Sequence, residues 1–484
     1  MNRKVAIPRW VSVFAFAWMV VLSACEGGSP TGGNDGPGGD PGGGREKPIN
    51  VSNPEARLAP GGVEWTRRES GTQSGLIAVT SGNGKIVVAG NNGVILTSAD
   101  GAAWTLRNVG RNVALNHVIW TGSKFIAVGD SGTVATSPDG DTWALRNHSP
   151  DYHLESVAWN GTIFVAAGGK FVHSGLSVPA MLTSADGETW TAHTTGHGIF
   201  FGAAWGGIGF LAVGFNYDFT TLADYSSPVM YFSRDGLDWD VINANIESRN
   251  AFTHVIHDGR RFLAVGGSRN VNDSFATVYT TSGYGEWTRA FTPTRQTLEG
   301  AAFTGSEYIA VGGRGTIIMS DTSANNWKAR VSGVNADLNA VAATSVGWQL
   351  VAVGDSGTLL TSPCGRSTAV PPAPHPLVGH WKLEKDYIRN ADGSESPPPQ
   401  TGLPEMILEF REDGTATLAF FEGNRFLDSQ EGRWSLSGSR LNMGFNGEAG
   451  SDSEYSLAGD RFTLIFPDAS GGATVTRVWV WQRL

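Results

Sequence analysis

The side chains that could do chemistry in this chain are few. A thiol stands at Cys364 in a chain corner with no base beside it, and a nucleophilic cysteine needs a base within hydrogen-bond reach. Asp151, Asp218 and Asp273 fall in segments that can share one face. Two carboxylates so placed could hydrolyse a glycosidic bond, but only at a separation that the sequence does not supply. The ten histidines show no repeated metal-ligand spacing. His254 and His257 lie three apart on an expected strand and so point to opposite faces. No metal and no cofactor is expected. Thirty-five basic against 45 acidic residues, a formal charge of -10, argue against nucleic acid as a partner.

The elements that must position these groups are internal repeats. The unit is clearest in residues 115–146, LNHVIWTGSKFIAVGDSGTVATSPDGDTWALR, where four short alternating runs are separated by turn residues. A small apolar strand recurs at Ala89-Gly90, Val128-Gly129, Ala167-Gly168, Val213-Gly214, Val265-Gly266, Val311-Gly312 and Val353-Gly354. Tryptophans open the fourth run at Trp65, Trp104, Trp143, Trp190, Trp239, Trp287 and Trp327. Four-stranded units at spacings of 39 to 49 residues predict a β-propeller of seven blades over residues 61–365. The phase is informative: the first tryptophan precedes the first apolar strand, and the last repeat ends at Ser362 with no tryptophan after it. The strand around Trp65 is therefore expected to complete the last blade beside 358–362 and close the ring.

The blade corners read SADGAAW (98–104), SPDGDTW (137–143), SADGETW (184–190) and SRDGLDW (233–239). They resemble the Asp-box, or BNR-type, repeats of sialidase-like and photosystem-assembly-factor-like propellers, with Asp and Gly adjacent where the Asp-box separates them by one residue. The expected role is structural. Serine and aspartate cap turn N–H groups, glycine takes a positive φ, and tryptophan packs between blades. The three long tryptophan spacings arise between second and third strands, so three adjacent blades extend one face. That face carries the candidate binding residues: Arg111, Asp151, Tyr152, His153, Lys170, His173, His197, Asn216, Tyr217, Asp218, Asn250, Arg269, Asn270 and Asp273.

Residues 1–24 carry a basic start, Arg3, Lys4 and Arg9, followed from Trp10 by a run without charge, the pattern of a signal peptide. Leu22-Ser23-Ala24-Cys25 resembles the lipobox of bacterial lipoproteins. The resemblance implies cleavage before Cys25 and acylation of its thiol, anchoring the chain in a lipid bilayer. Glu26 in place of aspartate points to the outer membrane, and either the periplasmic or the outer surface remains open. Residues 25–60 form a Gly/Pro-rich tether, with ten glycines among residues 26–45.

After a Pro-rich linker at 366–376, residues 377–484 contain eight candidate strands. Gly379-His380-Trp381, the Asp413-Gly414-Thr415 hairpin and Gly432-Arg433-Trp434 resemble bacterial lipocalin-like domains. The resemblance implies a closed barrel whose Arg483 covers Trp381, its lumen filled by side chains or holding an apolar ligand. The expected fold is all-β: a seven-bladed propeller followed by a small eight-stranded barrel. The expected function is noncatalytic, a membrane-tethered module binding an envelope protein or glycan. The alternative is a carbohydrate-active enzyme using paired carboxylates on the propeller face.

Overall fold

The computed structural model describes residues 64–484 except 148–151, 172–176, 194–195, 218–225, 243–245, 247–249, 269–274, 283–285, 345, 347–348, 364–375, 378, 391, 393, 398–403, 411–413, 423–424, 438–439, 446–450 and 468–475. Cys25, the signal and tether segments, Cys364 and the Pro-rich linker lie outside the described residues, apart from Pro376 at the linker's end.

Short alternating runs separated by tight turns fold into antiparallel sheets of four strands, and seven such sheets surround one axis. Blade 2, for example, runs outward through Leu115–Trp120, Phe125–Gly129, Thr133–Ser137 and Ala144–Asn147. Each second strand has an apolar middle, as in Ile86-Val87-Val88-Ala89, all of them 0% exposed. A blade buries both faces against its neighbours, so its middle strands read as continuous apolar runs rather than alternating ones.

Six blades take their strands in chain order. The seventh joins Leu338–Thr344, Gln349–Gly354 and Thr358–Pro363 to Thr66–Arg67 from the other end of the propeller. Thr66 opposes Thr361 and Arg67 opposes Leu360. The Arg68 N–H donates to Leu359 O at 2.8 Å, and its Nε donates to Thr361 Oγ1 at 2.8 Å. Trp65 packs against the core cluster that includes Ile309, Met319 and Leu350, between blades 6 and 7. The tryptophan phase of the sequence thus describes the closure that forms.

The blade corners explain their own composition. Ser184 Oγ accepts from Gly187 N at 2.8 Å, while Asp186 Oδ1 accepts from Glu188 N at 2.8 Å and Thr189 N at 2.7 Å. These donors, Thr189 first, hold the Asp186 carboxyl down to about 2. Gly187 sits at φ +73°, and Trp190 Nε1 donates to its carbonyl at 3.1 Å. The same bonds recur around Gly101, Gly140 and Gly236. In blade 6 the glycine is missing, yet Ala324 takes its place at φ +57° and receives the Trp327 Nε1 bond at 2.7 Å.

The second module is a closed barrel. Gly379–Arg389, Glu405–Phe410, Thr415–Glu422, Arg425–Ser437, Arg440–Phe445, Ser451–Ala458, Arg461–Pro467 and Thr476–Arg483 pair in chain order, and the last pairs back with the first. A short strand, Glu395–Ser396, pairs with the far end of the first, which the sequence reading did not anticipate. Trp381, Phe410, Phe462 and Trp481 are buried and meet ring to ring at 5.5 to 6.2 Å. The Arg483 guanidinium lies 4.6 Å from the Trp381 ring centroid, the cover that the resemblance implied. Farther along the lumen, Asp386 accepts from both Arg477 and Trp479 Nε1.

Barrel and propeller share a core. Ile407, Ala419 and Phe421 of the barrel join Leu211, Phe232 and Phe252 of blades 4 and 5. Glu405 pairs at 2.7 Å with Arg234 of blade 4 and at 2.7 Å with Lys382 of its own barrel. Burial pushes the Glu405 carboxyl up, but these two cations outweigh it and hold the group low.

Candidate functional site at the channel mouth

Every innermost strand is bulged near its start, between Leu76 and Ala78 in blade 1 and at the matching repeat position in the six others. A bulge leaves one residue outside the ladder and re-aims its side chain. The bulged residues are Ile77, Asn116, Glu155, Phe201, Thr253, Glu299 and Asn339, and all of them line the central channel.

Where the bulged residue can donate, it stitches one blade to the next. Asn116 Nδ2 donates to Leu154 O at 3.1 Å, Thr253 Oγ1 to Leu298 O at 2.6 Å, and Asn339 Nδ2 to Leu76 O at 2.9 Å. The third of these bonds closes the ring. One residue further on, His117 Nδ1 accepts from Val157 N of the next blade at 3.1 Å, and Ser156 Oγ accepts from Ala203 N at 3.1 Å. Backbone groups displaced from the ladder thus find partners across the blade boundary.

The cavity inside this ring measures about 670 Å³. His117 of blade 2 and His254 of blade 5 meet across it edge to face, ring centroids 5.9 Å apart. Burial lowers His117 to about 4, and burial with the neighbouring imidazole lowers His254 to about 3, so both rings are neutral at physiological pH. The His117 Nδ1 that accepts from Val157 also requires a neutral ring. His257, three residues on, turns its ring instead onto Phe262 at 4.7 Å.

At the mouth, short turns join second to third strands in blades 1, 2, 6 and 7. Asn92, Ser131, Arg314 and Ser356 occupy the left-handed region there, with φ between 53° and 59°. Blades 3, 4 and 5 instead prolong these strands into longer hairpins, such as Phe164–Phe171 with Ser177–Ser184, and Phe210–Tyr217 with Ser226–Ser233. The face extension expected from the tryptophan spacing is therefore present in the strands, while its tips lie outside the described residues.

The structure brings some expected residues together and separates others. His153 Nδ1 and Asp130 Oδ1 are 2.9 Å apart, Asn116 Nδ2 donates to the same oxygen at 3.1 Å, and Lys170 Nζ lies 5.0 Å above the Tyr152 ring. Arg111 and His197 are exposed in connections between blades, and the His197 N–H donates to Tyr231 Oη at 3.1 Å. Asn216 and Tyr217 end the prolonged second strand of blade 4. Asn250 is a correction: it is 0% exposed and accepts from Thr277 Oγ1 at 2.8 Å, because the inner strand of blade 5 begins earlier than expected and pulls it into the sheet. Asp151, His173, Asp218, Arg269, Asn270 and Asp273 lie outside the described residues. Sequence reasoning missed Asn116, His117 and Asp130, and weighed His254 only as a metal ligand. The polar residues just after the first leucine of a repeat were the available signal.

No family model matches the chain, and no curated protein matches it. Among solved structures it is similar to YCF48 from Cyanidioschyzon merolae, with a TM-score of 0.47 and 16% identity over 62% of this chain and 98% of that one. It is also similar to a structure titled YCF48 bound to D1 peptide, with a TM-score of 0.45 and 16% identity over 62% and 96%. The WD40 propeller domain of Doa1 gives a TM-score of 0.46 at 10% identity over 63% and 98%.

Proposed function

We propose that the chain is a noncatalytic binding module, tethered to the outer membrane through acylated Cys25, whose channel-mouth face recognises an envelope protein or glycan. The observation that carries the reading is the prolongation of three consecutive blades on the face where the channel opens, beside the Tyr152–Lys170 and Asp130–His153 pairs. The aspartates of the repeated corners are committed to turn N–H groups, which gives them a folding role.

Affinity capture from envelope extracts and a panel of envelope glycans test the face, with Tyr152→Ala/Lys170→Glu as the altered protein. A species retained by the native chain and lost by the variant supports the reading. Glycoside turnover abolished by Asp151→Asn or Asp218→Asn would favour the enzymatic alternative. Cys25→Ala should release the chain from membrane fractions, and undiminished retention would remove the anchor from the account.

A further inference from the structure

The two most exposed large apolar side chains among the described residues, Phe291 and Val331, are each 84% exposed. They stand in successive connections between blades, after blades 5 and 6. Each flanks a hollow, of about 690 Å³ beside Phe291 and about 400 Å³ beside Val331, and the two hollows share Pro293 and Thr294 as their common wall. Such prominence on two neighbouring loops of a chain this rich in buried aromatics calls for a partner.

The charged residues that line the two hollows have one sign, with the Asp337 carboxylate beside the second accepting from the Arg314 N–H at 2.7 Å. Arg289 and Arg295 line the first hollow, Arg314 and Arg330 the second, and no acidic residue lines either among the described residues. This occurs on a chain of net charge -10. Arg295 and Arg314 are exposed and form no ion pair among the described residues. Arg314 occupies the left-handed turn position, φ +53°, where the three equivalent turns carry Asn92, Ser131 and Ser356. A long side chain is held there against the backbone preference that favours asparagine.

The outer strands of both blades end beside these hollows. The outer strand of blade 5, Glu286–Arg289, stops opposite Tyr279, with Ala290 N donating to Val278 O at 2.9 Å, and Ala276 and Thr277 beyond it are buried. In blade 6 the outer strand Lys328–Arg330 likewise stops opposite Ile317. The two hollows lie side by side and so suit successive side chains of an extended chain, which a flat bilayer surface does not reproduce.

We infer that the Phe291–Val331 surface docks an extended acidic peptide segment carrying apolar side chains, its carboxylates on Arg295 and Arg314 and its apolar groups beside Phe291 and Val331. The inference rests on the binding-module reading and specifies one partner chemistry for its face.

The test uses the full chain and a fluorescein-labelled peptide alternating glutamate with phenylalanine and valine, read by anisotropy. A lysine-for-glutamate counterpart and phosphatidylglycerol vesicles serve as the other probes. The acidic peptide should bind about tenfold or more tighter than the basic one and weaken with salt. Phe291→Ser/Val331→Ser and Arg295→Glu/Arg314→Glu should each weaken it by about tenfold with the thermal midpoint unchanged. Equal affinity for both peptides, or undiminished affinity in both variants, overturns the inference. So does vesicle binding that the variants abolish when no peptide binds, since the patch then belongs to a membrane. None of these results bears on capture through Tyr152 and Lys170, so the wider reading stands or falls separately.

Discussion

Acid should loosen the propeller through its two channel imidazoles, and the size of the effect follows from their environment. In the unfolded chain both histidines titrate near 6.5, whereas burial holds His117 at about 4 and His254 at about 3 when folded. A folded value below the unfolded one means that the unfolded state binds more protons as pH falls, so stability is unaffected above 6.5 and declines below it. Each pH unit in that window removes about 1.4 kcal/mol per histidine. At about pH 5 the pair together accounts for about 4 kcal/mol, an upper bound because the channel retains contact with solvent. Below about 4 the His117 contribution levels off, while that of His254 continues to about 3. Urea unfolding of the native chain and of His117→Asn/His254→Asn, at about pH 7 and about pH 5, isolates the effect from titrating carboxylates. Asparagine keeps an acceptor for Val157 N without a titrating ring. The native chain should lose more stability than the variant between the two conditions. Equal losses would refute the burial of these two rings.

Other perturbations bear on separate contacts. Gly187→Ala adds a Cβ 2.4 Å from Ile126 Cδ1 at φ +73°, and should lower stability by about 1 to 3 kcal/mol in chemical denaturation. Glu405→Ala leaves Arg234 partly buried against the barrel without its carboxylate, and should cost about 3 kcal/mol, with faster proteolysis between the two modules. Arg483→Ala uncovers Trp381, and should shift its tryptophan fluorescence to the red while leaving propeller stability within about 0.5 kcal/mol.

The blade number and the out-of-phase closure were legible because Trp65 through Trp327 mark each corner with a bulky residue that no other role requires. Arg483 over Trp381 was legible from a short motif for the same reason. Residues whose meaning depends on a bulge were not. An inserted residue reverses which side of the strand faces the axis, and the polar pair after Leu115, Asn116-His117, is its one trace in the sequence. The blade 6 corner stands outside the four legible ones because Ala324 lacks the signature of a positive φ, although packing and the Trp327 bond hold it there. Asn250 read as a loop residue because it is polar, and the bond from Thr277 that lets it enter the sheet joins strands 27 positions apart. Phe291 and Val331 were passed over because a single apolar residue in a loop carries no pattern.

The account depends most on a ring whose final blade takes its outer strand from Thr66–Arg67. The direct measurement is thermal unfolding of a chain that begins at Ser70, alone and with added synthetic peptide spanning residues 64–69. The truncated chain should melt at lower temperature, and the peptide, unlike a scrambled one, should restore the midpoint in a concentration-dependent manner. An unchanged midpoint on truncation would contradict the closure.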